Sequence, residues 1–182
     1  MDREAALILL QTHVKTRNLV KHCLACEAVL AGLARRLAED EETWRLAGLL
    51  HDVDYDQTAD SPEEHARVGA KMLEEAGLDP QIIHAVLAHN DKVPRESALD
   101  KALWCVDPLT GLIVAAALIR PERKLSAIDT QFVLNRMKER SFARGANREQ
   151  IRACEQELGL SLEEFVGIGL RAMQEISDEL GL

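Results

Sequence analysis

Aromatic residues are scarce in this chain: three Phe, two Trp and one Tyr make up 3% of 182 residues. That argues against a base-stacking platform of several rings. Basic charge is not in excess either. Twenty-two Lys and Arg stand against 31 Asp and Glu, a formal charge of −9, whereas a general nucleic-acid binder carries the opposite footprint. Long hydrophobic runs are missing. The longest, Gly111–Ile119, has nine residues, and a membrane span needs about 20. The start, Met1-Asp2-Arg3-Glu4 and then the apolar run Ala5–Leu10, lacks the basic region and longer core of a signal peptide. Cysteine is sparse, with four residues and no dense disulfide framework. Cys23 and Cys26 form a CxxC without a second pair, and within a helical stretch they read as small buried hydrophobes. From these absences we expect a cytoplasmic protein with no membrane and no nucleic-acid polymer as partner.

Alternating strand patterns are also lacking, and Gly and Pro punctuate helical periods instead. Hydrophobic residues at 47% exclude whole-chain disorder. The expectation is a single all-α domain over residues 1–182, with a metal-binding core at about 17–119 and a C-terminal helical extension at about 120–182. Helices are predicted at about Asp2–Gln11, Arg17–Ala38, Glu41–His51, Pro62–Ala76, Pro80–His89, Ala98–Ile119, Asp129–Glu139, Arg148–Leu158 and Leu162–Leu180. Ser61-Pro62-Glu63-Glu64 and Ser161-Leu162-Glu163-Glu164 look like capping boxes. Pro108 predicts a kink after Asp107. The stretch Asp52–Ser61, with four aspartates, reads as an acidic loop.

What the chain does have is histidine, six in all. Helical phase sorts them. His22 lies in the stripe Leu19, His22, Cys23, Cys26, Leu30; His51 closes the stripe Trp44, Ala47, Gly48. His65 opens the stripe Val68, Gly69, Met72, and His89 closes Ile82, Ala85, Val86. Asp52 follows His51 directly, and Asp107 follows the stripe Leu99, Leu103, Val106. His13 and His84 fall off these stripes and read as surface residues. One inward His is ordinarily a hydrogen-bonded core residue. Four imidazoles and two carboxylates in one helical core are hard to satisfy that way, whereas a metal centre built from facing helices satisfies them together. Six ligands exceed one tetrahedral site and suit two cations with room for water. One ion would take His22, His51, Asp52 and Asp107; the other would take His65 and His89 and share Asp52 as a bridge. Mixed imidazole and carboxylate donors accept Fe, Mn, Zn, Ni or Mg. Such a centre activates water and clamps the oxygens of a phosphoryl group, which fits phosphate-ester hydrolysis.

The order His22, His51-Asp52, Asp107 resembles the H…HD…D pattern of the HD superfamily of metal-dependent phosphohydrolases. Leu46–Asp52 looks like that family's doublet helix. His65 in Glu64–Ala70 and His89 in Ala88-His89-Asn90 resemble the extra ligands of its dinuclear HDIG-type branch. Val53-Asp54 departs from the branch's Ile-Gly. The resemblance implies an all-helical HD-domain bundle, a divalent or iron centre, and a nucleotide or small phosphoester hydrolysed with Asp52 and His51 at the centre. HD-type mixed-valent diiron oxygenases share the six-ligand arrangement and are the rival reading. A non-catalytic, metal-stabilised regulatory domain is the third. For the substrate, Lys92 and Lys101 flank His89 and Asp107, and Asp91 is a candidate acid or base. Arg144 beside Gly145 lies in the stretch 120–152, where nine Lys and Arg meet four Asp and Glu.

Overall fold

The computed structural model describes residues 1–182 and contains helices but no strand. In chain order the helices are α1 (Arg3–His13), α2 (Arg17–Leu37), α3 (Glu41–Leu50), α4 (Tyr55–Thr58), α5 (Arg67–Glu75), α6 (Pro80–His89) and α7 (Ala98–Leu118). After a 3-10 turn at Leu125–Ala127 come α8 (Thr130–Met137), α9 (Arg148–Arg152), α10 (Cys154–Leu158), α11 (Leu162–Glu175) and α12 (Ser177–Leu180).

Helix α2 is the hub, packed against α3, α7 and α11, while α6 lies on α7 and α3. The apolar stripe read from the sequence makes this possible: Cys23, Cys26, Leu30 and Leu33 of α2 are fully buried. The α2–α3 crossing is the tightest point near the histidines. A Cβ on Gly48 would lie 2.7 Å from the Glu27 amide nitrogen and 2.8 Å from the Cys26 carbonyl. Backbone meets backbone there, so glycine is required. Gly48→Val is expected to force the helices apart and cost about 3 kcal/mol, the upper range for overpacking. Urea unfolding checks this, and an unchanged midpoint would contradict the crossing. Beside it, the buried Glu27 carboxylate accepts from Arg3 Nε at 2.5 Å and Arg45 Nη1 at 3.2 Å, tying α1 and α3 to α2.

Helix α7 is long and apolar enough to cross a membrane by length and composition, but 56% of its apolar window is buried inside the protein. It runs through Pro108 as one helix. Proline removes the hydrogen bond to the carbonyl four residues back, that of Trp104. The Gln150 side-chain amide donates to that carbonyl at 2.9 Å. A residue of α9, in the C-terminal extension, therefore repairs the helix that carries Asp107. The extension also shares the core: Val166, Phe165 and Met173 of α11 are fully buried in the same cluster as Leu30 and Leu109.

Two predicted helices differ. The capping-box reading of Ser61–Glu64 is corrected: residues 62–66 form turns, and α5 starts at Arg67. Ala66 takes a left-handed conformation (φ +67°) and offers α5 no side-chain cap. The stretch predicted at Arg148–Leu158 divides at Ala153 into α9 and α10. The acidic stretch after His51 is buried at its start, where Val53 and Asp54 are fully buried and Asp52 is 6% exposed, and most of residues 55–60 are exposed.

Candidate metal centre

His22 comes from α2, His51 caps the end of α3, Asp52 opens the following turn, His65 sits in the turn before α5, His89 ends α6, and Asp107 precedes Pro108 on α7. The fold brings all six together. His22 Nε2 is 3.1 Å from His51 Nε2 and 3.1 Å from Asp107 Oδ1. Asp52 divides its two oxygens between two pairs of rings. Its Oδ2 lies 3.5 Å from His51 Nε2 and 3.7 Å from His22 Nε2. Its Oδ1 lies 3.3 Å from His65 Nε2 and 3.6 Å from His89 Nε2.

The opposite edge of each imidazole is occupied. His51 Nδ1–H donates to the Gly48 carbonyl at 2.8 Å, and His89 Nδ1–H donates to the Val86 carbonyl at 2.5 Å. His65 Nδ1–H donates to Asp54 Oδ1 at 2.9 Å. His22 Nδ1–H donates to the Thr110 hydroxyl at 3.0 Å, which itself donates to the Asp107 carbonyl at 3.1 Å. All four rings are thus anchored through Nδ1 and turn Nε2 to a common centre, the arrangement by which outer partners fix a ligating tautomer. Donors about 2.1 Å from an ion stand roughly 3.0–3.4 Å apart around it. The observed spacings fall at and slightly above that range, so these residues fit divalent metal. Cys26 reaches the edge of the cluster, its Sγ 3.8 Å from His22 Nε2, but burial raises its thiol pKa.

The rings differ in charge: burial opposes charge on His22, but Cys26 and Asp107 raise its pKa well above the ordinary value. Burial lowers the pKa of His51 and keeps its ring neutral. Burial opposes charge on Asp52 as well, yet His51, His65 and His89 hold its carboxyl well below the usual range. Burial also opposes charge on His65, but hydrogen bonds to Asp52 and Asp54 raise its pKa to about 9. The centre is open on one side: the side chains of His22 and Asp107 are 22% and 34% exposed, against 0% for His51 and 2% for His89.

The sequence marks Asp54 only as a departure from the branch's Ile-Gly and leaves open whether it lines the site or faces water, because its partners are remote. Besides His65, it accepts from the Gly69 amide at 2.8 Å. Gly69 is the third residue of α5, so Asp54 supplies the cap that Ala66 lacks. Gly69 lies close against that aspartate: a Cβ would sit 3.1 Å from the Asp54 carboxyl carbon, so a side chain there would push the carboxylate aside. The Thr110 hydroxyl was missed similarly. Its only sequence signal is its position one helical turn after Asp107.

Other expected residues are placed elsewhere. Asp91 pairs with Arg95; Lys92 donates to the Pro62 carbonyl at 2.9 Å; Lys101 lies 3.8 Å from Glu157. Arg144 is exposed on a loop held by Arg148, whose guanidinium donates to the carbonyls of Ala143, Ala146 and Phe142. None of Asp91, Lys92, Lys101 and Arg144 bonds to a cluster residue or lines the cavities bordering His22. His84 is not the surface residue expected: it is half-buried, its Nδ1 3.0 Å from Asp100 Oδ2.

The sequence model of the HD domain family matches residues 19–132. Among known proteins, the chain is similar to Ribonuclease Y of Oleidesulfovibrio alaskensis, 33% identical over 96 residues that cover 53% of this chain and 18% of that protein. It is 28% identical over 115 residues to Ribonuclease Y of Cutibacterium acnes, covering 63% and 21% of the two chains. The match to Ribonuclease Y of Sulfurovum sp. is 26% identical over 167 residues, covering 90% and 33%. The chain therefore spans about a fifth to a third of these relatives' length. No solved structure matches it. The expectation of a small substrate and no nucleic-acid polymer is corrected by these relatives, which are named as ribonucleases. Net charge and aromatic content average over the whole surface, whereas a polynucleotide meets only the face around the site.

Proposed function

Because this chain belongs to the HD domain family, we propose that it is a metal-dependent phosphohydrolase that cleaves phosphodiester bonds of RNA. The observation that carries the reading is the convergence of four Nε2 atoms and two carboxylates, with every Nδ1 anchored outward. A core that merely tolerated histidines would scatter them, whereas here four rings from separate elements meet around one carboxylate, Asp52. Support for the RNA substrate comes from the ribonuclease relatives.

The division of Asp52 between two pairs of rings supports a dinuclear centre with Asp52 as the bridge. His22, His51 and Asp107 would complete one site, and His65 and His89 the other. When bound, the ions supply hydroxide at neutral pH and neutralise charge on the phosphoryl oxygens. The chain's own part is positional. Thr110, the Gly48 and Val86 carbonyls, and Asp54 hold the rings in the donor tautomer. His51 is kept neutral by burial, and Asp52 is kept ionised by the surrounding imidazoles. The net reaction adds water across a P–O ester bond, leaving a phosphomonoester and an alcohol. Four free, buried cysteines support a cytoplasmic setting.

The test is to strip the protein with chelator, resupply Mn, Fe, Zn, Ni or Mg singly, and follow a short oligoribonucleotide. Metal-dependent shortening is expected, with none in chelator. An oligoribonucleotide left intact with all five cations would overturn the reading.

A further inference from the structure

Two cavities border the centre, and they share Asn18 and His22. One, of about 430 Å³, runs along α2 and α7 and is walled by Ala25, Val114, Leu118 and Leu180, with Lys21 as its one cation. The other, of about 780 Å³, opens over Asp52 and is bordered by Leu19, Tyr55 and Ala59. His22 is the ridge between them. The outer edges of both carry exposed apolar side chains: Leu118 is 43% exposed at the first and Tyr55 is 43% exposed at the second. Tyr55 is the only tyrosine in the chain. Its ring packs edge-on against His65, centroids 5.1 Å apart at 83°. One edge is therefore fixed to a cluster imidazole while much of the ring stays open to solvent.

A phosphomonoester with one base would use one such cavity. Two cavities meeting at a metal-ligand ridge suit a group that extends both ways from the reacting phosphate. We propose that they are the subsites for the two nucleosides flanking the scissile phosphate. One base enters the apolar slot against Val114 and Leu118; the other stacks on Tyr55, as bases do on exposed rings in single-strand binders. Lys21 Nζ donates to the Leu180 carbonyl at 2.5 Å. An ammonium has three donors, so two remain for a neighbouring phosphate. This rests on the phosphodiesterase reading and sharpens it: the minimal good substrate is a dinucleotide.

The experiment compares uridylyl-uridine with the methyl phosphodiester of uridine, which keeps the scissile linkage and loses one base. Manganese-loaded protein should favour the dinucleotide in kcat/KM. Tyr55→Ala should cut that preference by about 5- to 150-fold, the span of one base–ring stack, and Tyr55→Phe should restore it. Val114→Trp, which fills the slot, should cut it as well. A preference unchanged in both Tyr55→Ala and Val114→Trp would overturn the subsites while leaving the phosphodiesterase reading intact. If neither diester is hydrolysed, the oligoribonucleotide assay decides the phosphodiesterase reading, and the subsites are judged by binding. Titration of the methylphosphonate analogue of uridylyl-uridine should shift the ring resonances of the single tyrosine. Resonances that stay fixed up to the solubility limit of the analogue would reject the proposal.

Discussion

Asp52→Ala is expected to leave the protein without firmly bound metal and to lower hydrolysis by about a thousandfold or more, the loss of several kcal/mol of charge stabilisation. The reason lies in how one carboxylate is shared. Oδ1 faces His65 and His89, and Oδ2 faces His51 and His22. Removing it takes a donor from both sites and leaves His65 and His89 without a carboxylate between them, Asp107 reaching only His22. Excess metal should not rescue the variant, because what is missing is a ligand and not occupancy. Elemental analysis alongside the oligoribonucleotide assay reads both effects. A variant that kept its metal would show that Asp52 is only a neighbour of the site.

Asp54→Asn should behave differently. The carboxylate accepts on both oxygens, from His65 Nδ1 and from the Gly69 amide. An asparagine has one acceptor and one donor end. If the donor end meets Gly69, two N–H groups oppose each other at the start of α5. If it meets His65, it occupies the Nδ1 lone pair and moves the ring proton to Nε2, where the ligand lone pair belongs. Metal affinity is expected to fall about 10- to 100-fold, the usual cost of losing an outer partner. Activity should then return at high metal concentration, in contrast to Asp52→Ala. Metal titrations of the two variants separate the roles, and unaltered affinity in Asp54→Asn would remove Asp54 from the account.

The cluster was legible where its members sit on regular helices. His22, His51 and His89 share faces with buried apolar residues, so helical phase points them inward before any fold is known. His65 was read toward the centre for a mistaken reason. It lies in a turn, and the left-handed Ala66 and the distant carboxylate of Asp54 set its direction. The sequence around Ser61 carries a capping signal that tertiary contacts override. Asp54 stood out only as a departure from the branch's Ile-Gly, in a polar stretch of four aspartates. Its burial depends on residues 11 and 15 positions later, which no local pattern reveals. Gln150 is similar: the proline at 108 signals a missing hydrogen bond, but not that a side chain from α9 restores it. Charge was the least legible feature. Nearness to the ligands in sequence selected Lys92 and Lys101, and the basic stretch 120–152 selected Arg144. Lys92 and Lys101 bind a carbonyl and a glutamate, and Arg144 is exposed on a loop apart from the cluster.

The proposed centre holds two ions bridged by Asp52 and acts on a phosphodiester. It is tested most directly by titrating metal-free protein with manganese while following bound metal per chain and oligoribonucleotide cleavage together. The prediction is that cleavage rises to a plateau reached only as occupancy approaches two ions per chain. Full cleavage at one ion, or cleavage indifferent to metal, would contradict it.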